Sequence, residues 1–109
     1  MNQGAVTRLV DEVSEYLGAG RVGLYEFLWI LRSDRPTVPE SEFRAHAKAA
    51  LDRLLADGSI RLVWQLWGDV NFERDASGAV IDDHAWDDPT DKPYLAVTRI
   101  EEMVAPPAS

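Results

Sequence analysis

The chain contains no cysteine. Disulfides, thiolate metal sites and a cysteine nucleophile are therefore excluded. A reducing cytoplasm suits such a composition and is the expected location. Histidine is almost as scarce, with two in 109 residues, and neither sits in an acid–base or nucleophile arrangement. Long apolar runs are missing too. The longest lies near Leu24 to Leu31, contains Glu26, and falls far short of the roughly 20 residues that cross a bilayer. The opening "MNQGAVTRLVDE" has no basic stretch followed by an apolar run, so no signal peptide is expected. The "GAG" at Gly18 to Gly20 has neither the flanking strand nor the lysine of a phosphate loop. Internal repeats and low-complexity segments are absent. No enzyme is expected, and no cofactor is implied.

What is present is a chain long enough for one domain. At 46% hydrophobic and 28% charged residues it has the balance of a soluble globular protein that buries a core without staples. The net charge is −8 and the isoelectric point about 4.6. Its distribution says more than its sum. Residues 1–68 hold eight Lys and Arg against nine Asp and Glu, whereas residues 69–109 hold three against ten. The front is nearly neutral and the back carries the excess. Such a chain is a poor DNA binder unless a basic face is built locally.

Ala5 to Leu17 reads as an amphipathic helix, with Val6, Leu9, Val10, Val13 and Leu17 at helical spacing. Gly18 to Gly20 stops it. Val22 suits a short strand, and Leu24 to Arg32 a buried helix carrying Tyr25, Phe27, Leu28, Trp29 and Leu31. Pro36 ends that helix. Thr37 and Glu40 are spaced as a capping box for a third helix, with Ser41 as a rival cap. Its stripe is Phe43, Ala47, Ala50, Leu51, Leu54 and Leu55, and Gly58 is its stop. The period then changes to two: Ile60, Leu62, Trp64 and Leu66 alternate with Arg61, Val63, Gln65 and Trp67. Trp64 is assigned to the core with Trp29, and Trp67 to the opposite face, as an exposed aromatic or a dimer contact. "VNFERDASGAVID" reads as a hairpin turning at Asp75 to Gly78, with Gly68 a bulge or bend. The last strand is Tyr94 to Arg99, "EEMV" a final turn, and residues 105–109 a disordered tail.

The stretch "LYEFLWILRSDRPTVPESEFRAHAKAALDRLLADGSIRLVW" carries a resemblance. A third helix ending in Leu-Leu-x-x-Gly and running straight into "SIRLV" is similar to a winged-helix domain, a helix-turn-helix variant with a β-hairpin behind its third helix. The resemblance implies an α+β fold, winged-helix-like over residues 1–104, with three helices followed by an antiparallel β-sheet. The wing here would be extended and acidic, a departure from the usual short basic one. It also implies that the third helix enters the major groove, which would give Arg44, His46 and Lys48 a role on duplex DNA, assisted by Arg35 or Arg61. By analogy, Val6 to Leu17 could support a homodimer.

The acidic stretch "IDDHAWDDPTDKP", residues 81–93, sets five aspartates around His84 and Trp86. It lacks the glycine and the closing glutamate of a calcium loop, and no metal is expected. It reads as a solvated loop pinned by Trp86, or as a recognition surface in which Asp82, Asp83, Trp86, Asp87 and Asp88, with Trp67, engage a basic partner. Two functions follow. The favoured one is a small protein-binding module, of the kind an immunity or inhibitor protein provides, that neutralises a toxin or another nucleic-acid-binding protein. The other is a winged-helix transcriptional regulator that binds duplex DNA. Neither involves a membrane.

Overall fold

The computed structural model describes residues 3–33 and 39–100. Arg35, Thr37 and the segments expected as a last turn and tail lie outside the described residues.

Three helices and four strands make up the described part. Helix α1, Gln3–Leu17, buries Ala5, Val6, Leu9, Val13 and Leu17. Their three- and four-residue spacing puts them on one stripe. The helix closes at Gly18, whose N–H donates to the Glu15 carbonyl at 3.1 Å. Strand β1, Val22–Gly23, leads directly into α2, Leu24–Ser33. The Gly23 N–H donates to Glu26 Oε2 at 2.8 Å. This is half of a capping box: a glutamate in the first turn satisfies a backbone donor just before the helix. Helix α2 buries Leu24, Tyr25, Phe27, Leu28, Ile30 and Leu31, nearly its whole circumference, as its all-round apolar sequence predicts. A 3-10 turn, Glu40–Glu42, feeds α3, Phe43–Ala56. Helix α3 packs Phe43, Ala47, Ala50, Leu51 and Leu54 inward and lies against α1 and α2.

Strands β2 (Ile60–Leu66), β3 (Asp69–Asp75) and β4 (Tyr94–Arg99) complete an antiparallel sheet in the order β1-β4-β2-β3. The β2–β4 ladder runs from Ile60 opposite Arg99 to Gln65 opposite Tyr94. Period two then assigns faces. Ile60, Leu62, Leu95 and Val97 join the helices in one core. Val63 and Ala96, a facing pair on the other side, are also fully buried.

Three expectations need correction. The hairpin turns at Trp67–Gly68, between the Leu66–Asp69 pair, with Gly68 at φ +86°. Gly68 is thus the left-handed residue of a two-residue turn, the bend and not the bulge of the two alternatives expected. The Asp75 to Gly78 turn exists, with Gly78 at φ +82°, but it ends β3 instead of joining two strands. The Ala76 N–H donates to the Leu62 carbonyl, and the chain then leaves the sheet with Val80 exposed. Second, Trp29 is 48% exposed, not core. Third, Trp64 is only partly buried, packed against the core and not within it.

The real irregularity lies in β3. Between the Trp64–Arg74 and Leu66–Asp69 pairs, Gln65 alone faces Val70, Asn71, Phe72 and Glu73. Such a break in the ladder, with four residues against one, leaves carbonyls of β3 without strand partners. Arg21 meets them. Its guanidinium donates to the Val70 carbonyl at 2.7 Å, the Phe72 carbonyl at 3.4 Å and Glu73 at 3.0 Å. Glu73 also accepts from Arg61 at 2.7 Å.

Candidate functional site

The acidic stretch is an ordered strap. Asp82 caps a 3-10 turn, Asp83–Trp86, by accepting from the His84 N–H at 3.0 Å. The Ala85 N–H donates to the Asp82 carbonyl and the Asp87 N–H to the His84 carbonyl, each at 3.1 Å. An aspartate that bonds the backbone two residues on is a common turn device. The turn points Trp86 inward, where it is 4% exposed and its ring centre lies 5.9 Å from that of Phe27. Trp86 therefore pins the strap on α2 and does not stand out as a contact residue. The five aspartates of the stretch remain exposed.

Beyond Trp86 the strap lies over the helices. Asp87 Oδ2 lies 3.2 Å from His84 Nδ1, and its Oδ1 4.0 Å from Arg44 Nη2 of α3. Asp88 Oδ1 accepts from the Trp29 indole N–H of α2 at 3.3 Å. His84 is fully exposed, and its pKa is raised above the ordinary 6.5. The hydrogen bond to Asp87 is the main cause, followed by the charges of Asp87 and Asp82. Beneath the strap runs a cleft of about 520 Å³, lined by Trp64, Asp82, Asp87, Asp88, Pro93 and Tyr94 among others.

The residues expected to meet DNA are placed differently. Of the four that are described, three have carboxylate neighbours: Arg44 at Asp87, Lys48 at Asp52 (3.3 Å) and Arg61 at Glu73 (2.7 Å). The fourth, His46, expected on the wet face, is 1% exposed. Its Nδ1 lies 2.9 Å from the Glu42 carbonyl, and that oxygen can only accept, so Nδ1 carries the proton of this bond. Arg35 lies outside the described residues.

Sequence reasoning did not foresee an aromatic group next to the strap. Tyr25 of α2 is buried, and three rings meet it edge-on. Trp29, one turn on, has its centre 4.9 Å away, Tyr94 of β4 lies at 5.6 Å, and Trp67 of the hairpin turn at 6.5 Å. Trp67 is 61% exposed; it stands in the β2–β3 turn, beyond the strand whose alternation was expected to place it. Tyr25 has its pKa pushed up to about 12, mainly by burial and then by the charge of Glu26, with Tyr94 and Asp88 adding to it. Tyr94 is also raised, by burial and then by Glu26, with Arg21 opposing. The one local signal was the four-residue spacing of Tyr25 and Trp29 on a helix. Trp67 and Tyr94 join them only through the sheet order.

Among the described residues, no group of three or more His, Asp or Glu side chains converges as a metal-binding set, and no helix is long and apolar enough to cross a membrane. The chain matches no protein-family model, and neither a curated protein nor a solved structure shows a significant likeness to it.

Proposed function

We propose that this chain is a small acidic protein-binding module of winged-helix type that engages a basic partner through its acidic strap. It acts by binding, not by catalysis. The order of elements supports the winged-helix type: a helix, a short strand, two helices, then antiparallel strands with a long acidic excursion before the last one. One observation carries the choice of partner. The cations of α3 and β2 that would meet phosphate are answered by carboxylates of the same chain, Arg44 by the strap itself. The strap's other aspartates, Asp82, Asp83, Asp88 and Asp91, face solvent. A negative surface of this kind steers a positively charged protein toward it and repels nucleic acid. A toxin or a nucleic-acid-binding protein, held by an immunity or inhibitor protein, has the matching chemistry.

The test is the association rate with a fluorescein-labelled nona-arginine peptide, by stopped flow at low and physiological salt. Asp87→Lys with Asp88→Lys should slow association at low salt by about tenfold or more, since steering acts on the on-rate. An unchanged rate in a folded double variant would remove the strap from the binding surface. The second reading, a DNA-binding regulator, draws on the exposed face of α3, where Arg44 and Lys48 are about half accessible. It requires them to leave Asp87 and Asp52 for phosphates.

A further inference from the structure

Trp29 and Trp67 are large aromatics open to solvent, at 48% and 61% exposure, and Trp29 touches the strap through Asp88. They come from different elements, α2 and the β2–β3 turn, and both stand edge-on to the buried ring of Tyr25. Tyr94 supports Tyr25 from a third side. Two indoles held on a buried tyrosine lose little freedom on binding, the property that makes tryptophan an interface anchor.

The charges around this patch select its occupant. Asp88 holds the Trp29 indole, and Glu26 sits at the start of the same helix, near enough to both tyrosines to oppose their ionisation. The nearby arginines are already matched, Arg21 by Glu73, Arg32 by Glu40 and Arg44 by Asp87. An indole face attracts a cation, and a guanidinium does so best because it is flat, weakly hydrated and able to pair with a carboxylate in its plane. We propose that Trp29 and Trp67, seated on Tyr25 and flanked by Asp88 and Glu26, form the docking patch for an arginine side chain of the basic partner. The inference rests on the reading of the chain as a basic-protein binder and gives that reading its anchor residues.

Equilibrium anisotropy with labelled nona-arginine and nona-lysine peptides at physiological salt tests it. The variants are Trp67→Ala, Trp29→Phe and Asp88→Asn, with Asp82→Asn and Asp83→Asn together as the strap control. Trp67→Ala should weaken nona-arginine binding by about threefold or more, with a smaller effect on nona-lysine. Asp88→Asn keeps an oxygen acceptor for the Trp29 indole, so a loss there reports charge. Trp29→Phe keeps a ring and should fall between wild type and Trp67→Ala. Binding that drops only in the strap control would overturn the patch and leave the binding module standing. No binding of either peptide by the wild-type chain would overturn both. Sedimentation velocity adds a last outcome: a wild-type dimer that Trp67→Ala dissociates would assign the patch to a second copy of this chain and overturn the arginine site.

Discussion

Arg44 on α3 and Asp87 in the acidic strap face one another, with Nη2 and Oδ1 4.0 Å apart. Both side chains are about half exposed, so the pair adds little to stability. Its consequence is electrostatic. The helix that a winged-helix reading would send into DNA has one of its outward cations turned toward a carboxylate from the far end of the chain, and Lys48 is matched by Asp52 one turn on.

The strap keeps its place through Trp86. Trp86→Ala removes a buried ring from the side of Phe27 and should cost about 3–5 kcal/mol, the usual loss for truncating a large core aromatic. Urea denaturation followed by circular dichroism measures it. Limited proteolysis should then cut within residues 81–93 faster than in the wild type. A loss near zero would show that the strap is not anchored by this ring.

His84 offers a titration. Its folded-state pKa is raised above 6.5 by the bond to Asp87 and the charges of Asp87 and Asp82. A group held above its unfolded value contributes stability that is fully present below 6.5 and is lost as the pH rises through the folded value. His84 is fully exposed, so the effect on stability is small and the titration itself is the useful readout. Proton NMR of the imidazole should give a midpoint above 6.5 that moves down in Asp87→Asn. A midpoint unmoved by that change would place Asp87 elsewhere in solution.

Gly23 shows how tightly the aromatic group is seated. A Cβ built there would meet Tyr25 Cδ1 at 2.7 Å and Tyr94 Cε2 at 3.1 Å. Gly23→Ala should therefore push Tyr25 aside and destabilise the fold by about 1–3 kcal/mol, as overpacking does. Thermal melting checks this, and the Tyr25 ionisation near 12 should fall toward that of an ordinary tyrosine in an ultraviolet pH titration.

Helical periodicity with glycine stops located α1 and α3, the apolar segment located α2, and alternation located β2, because those signals are local. The Thr37 cap falls outside the described residues. The β2–β3 hairpin was misplaced because two turn-forming stretches compete. Trp67–Gly68 won over Asp75 to Gly78, where Ala76 is 4% exposed and bonded to Leu62. Burial of tryptophans was the least legible property. Trp86 is inside and Trp29 outside, although their surroundings in the sequence suggest the reverse. Trp29 sits in an apolar run but on the side where α2 meets the strap, and Trp86 sits among aspartates whose side chains cap the turn that aims it inward. The aromatic patch depends on β4 entering the sheet between β1 and β2, which no local pattern specifies.

The measurement that bears most directly on the central claim is fluorescence anisotropy of labelled random-sequence duplex DNA against the wild-type chain, at low and at physiological salt. The acidic strap and the internally matched cations predict no binding at physiological salt and at most weak binding at low salt. They also predict that Asp87→Asn with Asp88→Asn raises the low-salt affinity by releasing Arg44. Tight low-salt binding by the wild type, falling steeply with added salt and lost in Arg44→Ala with Lys48→Ala, would contradict the claim and make α3 the functional surface.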